Sequence, residues 1–153
     1  VDVLSPLIKI DESFLAFMGL YVSEGHCEKN YVIISNSDKL LKEKCMQFWK
    51  NLGLGYNIRN NCDISYFSVQ FANFFKHFGT HAPLKKIPSI LYNLSNQQLS
   101  VLFKAMFDGD GWVEDNGVYY LSASKELIFD IKNLILRFGI SSRITIKRSK
   151  KSQ

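Results

Sequence analysis

One internal repeat constrains this chain more than any other feature. DESFLAFMGLYVSEG followed by YVIISNSDKLLKEKCMQFWKNLGL is matched by SNQQLSVLFKAMFDGDG followed by VYYLSASKELIFDIKNLILRFGI. Each half reads as an apolar helix ending in acid-glycine, a short strand, a Ser-x-Ser turn, and an amphipathic helix ending at Leu-Gly or Phe-Gly. Glu24 and Asp110 take the same place in the two halves, as do Ser35 and Ser122, and Gly53 and Gly139.

Local signals support the helices. Ser95 followed by Gln98 is a capping-box pattern that opens a helix running to about Phe107. Asp11 is suited to cap the corresponding first helix. Leu40, Leu41, Cys45, Phe48, Trp49 and Leu52 recur at helical spacing, with Gly53 placed to end that helix. The second copy shows Leu127, Ile128, Ile131, Leu134, Ile135 and Phe138.

Elsewhere the period changes to two. YNIRN sets Ile58 against Asn57 and Arg59. SYFSVQF sets Phe67, Val69 and Phe71 against Tyr66, Ser68 and Gln70. RITIK sets Ile144 and Ile146 against Arg143, Thr145 and Lys147. The expectation is a set of strands with one face on a core and the other rich in hydrogen-bonding, aromatic and basic groups. Asn60-Asn61 before Cys62-Asp63 predicts a hairpin turn.

Composition narrows the class. With 153 residues and 46% hydrophobic content, the chain is long and apolar enough for a packed core. No apolar run approaches the ~20 residues of a membrane-spanning helix, and VDVLSPLIKID lacks the pattern of a signal peptide. Cys27, Cys45 and Cys62 fit neither a disulfide framework nor a CxxC zinc site, which predicts an intracellular setting. A net charge of +5 is compatible with a polyanionic partner, and RITIKRSKK is its densest cluster.

The acid-glycine ends carry the chemistry. Small residues four apart, Gly19 and Ser23 in one helix and Ala105 and Gly109 in the other, let two backbones approach closely. Parallel packing brings Glu24 and Asp110 together at two helix C-termini, where the dipoles are already negative. That arrangement calls for a divalent cation, and oxygen ligands suit Mg²⁺. A calcium loop beginning at Asp108 is excluded: it needs an oxygen ligand at Trp112, glycine at Val113 and glutamate at Tyr119.

FLAFMGLYVSEG and LFKAMFDGDG resemble the two signature helices of LAGLIDADG homing endonucleases, in particular the two-motif type associated with inteins. HAPLKKIPSILYNLSNQQLSVLFKAMFDGDGW and YLSASKELIFDIKNLILRFGI are similar to that group's segments into and beyond the second motif. The likeness covers most of the chain from about Phe14 to Ile146; the first motif is degenerate and the second good. It implies an α+β fold of pseudo-symmetric αββαββα repeats, divided as 1–94 and 95–153, with two packed central helices and a sheet saddle on double-stranded DNA. It further implies double-strand cleavage with Mg²⁺. Glu24 and Asp110 match the metal-binding acids, one per active site, while Asp108 matches an earlier acid of the motif, replaced by Val22 in the first copy. Lys86 is the best match to the family's catalytic basic residue, with Lys85 second. The strand faces carrying Asn57, Arg59, Tyr66, Ser68, Gln70, Arg143, Thr145 and Lys147 would read the major groove.

Only 43 residues follow Asp110, against 86 from Glu24 to Asp110. The second repeat is therefore expected to lack its last strand pair, final helix and partner lysine, unless a host protein or another chain completes it. No terminal His-Asn is present, so splicing by this piece is not expected. Two rivals to a nuclease remain: a non-cleaving DNA or RNA binder of the same fold, such as a regulator or maturase, and an interaction module whose acids merely end packed helices.

Overall fold

The computed structural model describes residues 7–147. Its elements run α1 (Glu12–Glu24), β1 (Gly25–Cys27), β2 (Tyr31–Ser35), α2 (Lys39–Asn51), β3 (Asn57–Arg59), β4 (Asp63–Phe67), α3 (Val69–Phe75), α4 (Asn96–Asp110), β5 (Gly111–Glu114), β6 (Gly117–Tyr120) and α5 (Lys125–Ile135). The first half is a complete αββαββα unit and the second an αββα unit.

Helix α1 is apolar nearly all round, which suits a helix enclosed by the rest of the fold. Asp11 accepts from Phe14 N to start it, and Phe14, Leu15, Phe17, Met18, Leu20, Tyr21 and Val22 are all buried. Helix α4 opens on the Ser95–Gln98 capping box and lies along α1. Gly19 fixes their separation: a Cβ there would stand 2.5 Å from the Leu102 carbonyl oxygen and 2.7 Å from Ala105 Cβ. The small residues singled out in the sequence are thus the seam of the molecule.

Sheet order in the first half is β1-β2-β4-β3, antiparallel throughout. Its inner face and α1 share an aromatic core. Phe17 stacks on Phe48 at 4.2 Å, Trp49 on Tyr66 at 5.0 Å, and Tyr21 meets Phe75 at 4.4 Å. In the second half β5 and β6 form a two-stranded sheet. Gly53 and Gly139 both take positive φ, 70° and 73°, just beyond α2 and α5, as expected of helix-terminating glycines.

Three expectations are corrected. The alternation across Ser65–Phe71 is not one strand: β4 ends at Phe67, and Ser68 Oγ accepts from Phe71 N to cap α3. Phe71, Ala72 and Phe75 are then buried at helical spacing, and Gln70 lies on that helix. Tyr66 faces the core, 5% exposed, while Phe67 faces outward. Arg143, Thr145 and Lys147 lie in an exposed segment without strand structure; Arg148 to Lys151 of the basic cluster fall outside the described residues. By repeat register Arg143–Lys147 corresponds to β3, whose ladder partner is β4; the positions that correspond to β4 fall outside the described residues. Finally, Ser35 does not correspond to Ser122. Glu24 to Asp110, Asn36 to Ser122, Asp38 to Ser124 and Gly53 to Gly139 are each 86 positions apart, so Asn36 is the counterpart of Ser122. Asp38 and Ser124 both cap the following helix.

Candidate active site

Glu24 and Asp110 are the last residues of α1 and α4, each followed by a glycine whose N–H closes the helix on Tyr21 O or Phe107 O. A side chain on Gly109 would overlap Ser23 and come 3.2 Å from Glu24 Cγ, so the two tips touch. Burial, and then the charge of Glu24, push the Asp110 carboxyl up to about 6. Burial raises Glu24 as well, against a 2.9 Å hydrogen bond donated by Asn36 Nδ2. Burial therefore disfavours ionisation of both carboxyls, and the charge of Glu24 adds to this at Asp110.

The polar surroundings of the pair are unequal. Asn36 Oδ1 accepts from Asp38 N, which leaves its amide free to hold Glu24. Ser122 Oγ accepts in the same way from Ser124 N, but serine has no amide to offer Asp110. Asp110 has Tyr120 instead. That phenol lies close enough to lower the Asp110 pKa, yet its buried hydroxyl meets no acceptor at hydrogen-bonding geometry.

Lys85, not Lys86, reaches this place. Only 2% exposed, Lys85 donates from Nζ to Tyr21 O at 2.7 Å and sits 3.4 Å above the Tyr21 ring. Tyr21 is fixed in turn by donating to Gly79 O at 2.8 Å. Burial lowers the Lys85 ammonium to about 7, opposed by the charges of Cys27 and Asp110. Lys86 turns the other way, 3.8 Å from Glu126, onto an open cleft lined by His77, Ser89, Tyr92 and Asp130. Successive residues of an extended segment point to opposite sides, so only one of the two lysines can reach the tips.

The donor set fits a hard divalent cation. Two partly buried carboxylates stand at adjoining helix tips, and the Tyr120 phenol lies beside one of them. Among the described residues no group of three or more His, Cys, Asp or Glu gathers anywhere, so a cation at these tips would rest on two protein carboxylates. Carboxylate oxygens are donors of the kind that suits a hard divalent cation. Asp108 takes no part: it is tied to Lys104 at 2.9 Å and to Lys44 at 3.6 Å.

A family profile described as a LAGLIDADG-like domain matches residues 11–79 and 97–153. The chain belongs to this family. Its fold is that of I-DmoI, solved in complex with DNA and Mn, at a TM-score of 0.65 and 9% identity over 92% of this chain and 85% of that one. Among sequences it is 37% identical, over 95% of its length, to part of DNA-directed RNA polymerase subunit Rpo1C of Methanocaldococcus jannaschii, and covers 18% of that protein. It is 25% identical to part of a replication factor C small subunit from the same organism, covering 92% of this chain and 8% of that one. The chain thus spans less than a fifth of these relatives.

In the LAGLIDADG fold of this chain, strand register decides which residues share the outer sheet face. Asn57 lies opposite Ser65, Arg59 opposite Asp63, and Tyr31 opposite Phe67. Asn57 and Arg59 therefore share a face with Tyr31 and Phe67, whose rings meet at 5.5 Å. His26, opposite Ile33, lies on the same face. In the second half its counterpart is Trp112, stacked on Tyr119 at 5.3 Å. Sequence reasoning missed Tyr31, Phe67, Trp112 and Tyr119, because period-two reading without pairing partners cannot say which face is outer. No helix among the described residues is long and apolar enough to cross a membrane.

Proposed function

We propose that this chain is a site-specific, Mg²⁺-dependent endonuclease acting on double-stranded DNA, and that the adjoining helix tips that bear Glu24 and Asp110 carry the reading. A bound divalent cation supplies Lewis acidity at a scissile phosphate. Glu24 and Asp110 hold it, and Asn36 orients Glu24. Lys85 has a proton affinity near neutrality, so its Nζ takes the proton of the attacking water. Asn57 and Arg59, with Tyr31 and Phe67, meet the major groove in the first half; Trp112 and Tyr119 stand in the second, and the basic segment from Arg143 contacts phosphate.

The comparisons support an inserted origin. Segments like this one recur in proteins named as an RNA polymerase subunit, a replication factor and a DNA polymerase, which share no single activity. We infer an intein-type insert within a host protein, with repeats 1–94 and 95–153 as the halves of one groove.

The degenerate first motif, with Val22 where the second has Asp108, favours a second reading, a binder that does not cut. Selection from a random duplex pool in Ca²⁺, followed by transfer to Mg²⁺, separates them. The endonuclease releases double-strand ends only in Mg²⁺, and Asp110→Ala binds without cutting. An intact duplex in both ions leaves the binder.

A further inference from the structure

We propose that Ser124 and Asp130, both from the second repeat, are positioning residues for Lys85 of the first, an inference that rests on the role given to Lys85 above. Lys85 lies on neither helix nor strand. It follows a short 3₁₀ turn in an extended conformation, φ −62° and ψ 143°, and leads into Lys86-Ile87-Pro88. A side chain on such a segment is only as well placed as the bonds that hold its backbone.

Those bonds come chiefly from the start of α5. Ser124 Oγ donates to the Lys85 carbonyl at 2.5 Å, in a buried contact. Asp130 Oδ2 accepts from Ile87 N at 2.8 Å, and its Oδ1 accepts from the Tyr92 hydroxyl at 2.7 Å. Tyr92 belongs to the 3₁₀ turn that follows Pro88, so one carboxylate ties down both sides of the proline. The first half contributes two further bonds, Lys86 N to Phe78 O at 3.0 Å and Lys85 N to Ala82 O at 3.3 Å.

Ser124 does two things with one hydroxyl. While donating to Lys85 O it accepts from Leu127 N and caps α5. Its repeat counterpart Asp38 caps α2 equally well, but a carboxylate cannot donate to a carbonyl. The hydroxyl is thus the choice that serves both the cap and the clamp. The result is a bonded path from the α5 start, through Lys85 backbone and side chain, to the Tyr21 carbonyl one turn before Glu24. Both repeats must be docked for the lysine to sit at the tips.

The test compares Ser124→Ala, Ser124→Thr and Asp130→Ala with the unmodified chain. One readout is amine modification of Lys85 by reductive methylation, read by mass spectrometry, with alkylation of buried Cys45 as the internal control for folding. The other is single-turnover cleavage in Mg²⁺ set against duplex affinity in Ca²⁺. Lys85 is protected in the unmodified chain and in Ser124→Thr. In both alanine variants it becomes modified while Cys45 stays protected. Cleavage falls roughly ten- to hundredfold with affinity within about threefold, the scale expected for an ångström of misplacement, and threonine restores it. Lys85 protected as before in both alanine variants overturns the proposal, as does cleavage at the unmodified rate. A chain that never cuts, yet exposes Lys85 in the alanine variants, sinks the nuclease reading and leaves the clamp standing.

Discussion

Asp110→Asn should make this protein more stable while removing its activity. The Asp110 carboxyl is raised from 3.8 to about 6, first by burial and then by Glu24. A carboxyl raised in the folded state favours folding while it is protonated, and that contribution is lost as pH climbs through the folded value. Below about 3.8 the substitution changes little. Between about pH 4 and 6 the unfolded chain is ionised while the folded carboxyl still holds its proton, so the wild type loses stability steadily, and above that the full penalty applies. Each tenfold change in proton affinity is about 1.4 kcal/mol, so the ceiling is about 3 kcal/mol. Because the group is only partly buried, solvent screening brings this to about 1–2 kcal/mol. For a chain of this size that is roughly 2–8 °C in Tm. The assay is thermal unfolding in EDTA from pH 4 to pH 8, wild type against variant. The gain should open from about pH 4 and reach its full size above about 6, where Mg²⁺ should stabilise the wild type but not the variant. A difference independent of pH, or a variant less stable at pH 8, refutes the picture of two repelling tips.

Other outcomes follow from the same geometry. Lys85→Met should lower cleavage by about 10²–10⁴-fold with duplex affinity kept, whereas Lys86→Met should act weakly; single-turnover rates and binding in Ca²⁺ read both. Wild-type cleavage should rise with pH and level off above about 7 as Lys85 loses its proton, and a rate flat across pH 6–8 contradicts that role. Gly19→Ala places a methyl 2.5 Å from a backbone oxygen, so it should cost about 1–3 kcal/mol in urea unfolding and slow cleavage by parting the tips. Arg59→Ala should weaken duplex binding and flatten its salt dependence, measured as log affinity against log salt concentration.

The repeat was legible because its signals are local and doubled. Asp11, Ser95 with Gln98, Gly53 and Gly139 each act within one turn of chain, and each is found in the role its residue type suggests. Glu24 and Asp110 were legible for the same reason, once close packing along Gly19 and Gly109 was inferred. What escaped reading depends on partners remote in sequence. Tyr66 is inward because it meets Trp49, and Ser68 begins a helix because α3 completes the aromatic core; alternation alone suits either face and either element. Lys85 and Lys86 are one position apart, and composition gives no reason to prefer either. Ser124 and Asp130, about 40 residues away, decide how that segment sits.

The two tips are equivalent by register and unequal by chemistry, and the inequality follows from side chains already present. At the position that accepts from the helix-capping residue, Asn36 has an amide that reaches its carboxylate, while Ser122 has only a short hydroxyl and no amide. Glu24 is therefore held from the side by a donor, and Asp110 sits beside a phenol that meets no acceptor at bonding geometry. Lys85 approaches along α1 and Tyr21, not along α4 and Phe107. A duplicated frame thus supplies the symmetry that brings two acids together, and the drift of a few neighbours gives each its own proton affinity. Any cation shared by that pair meets one carboxylate already oriented and one still held partly protonated near pH 6. Its binding must release protons as pH falls toward that value, and its affinity must weaken there first.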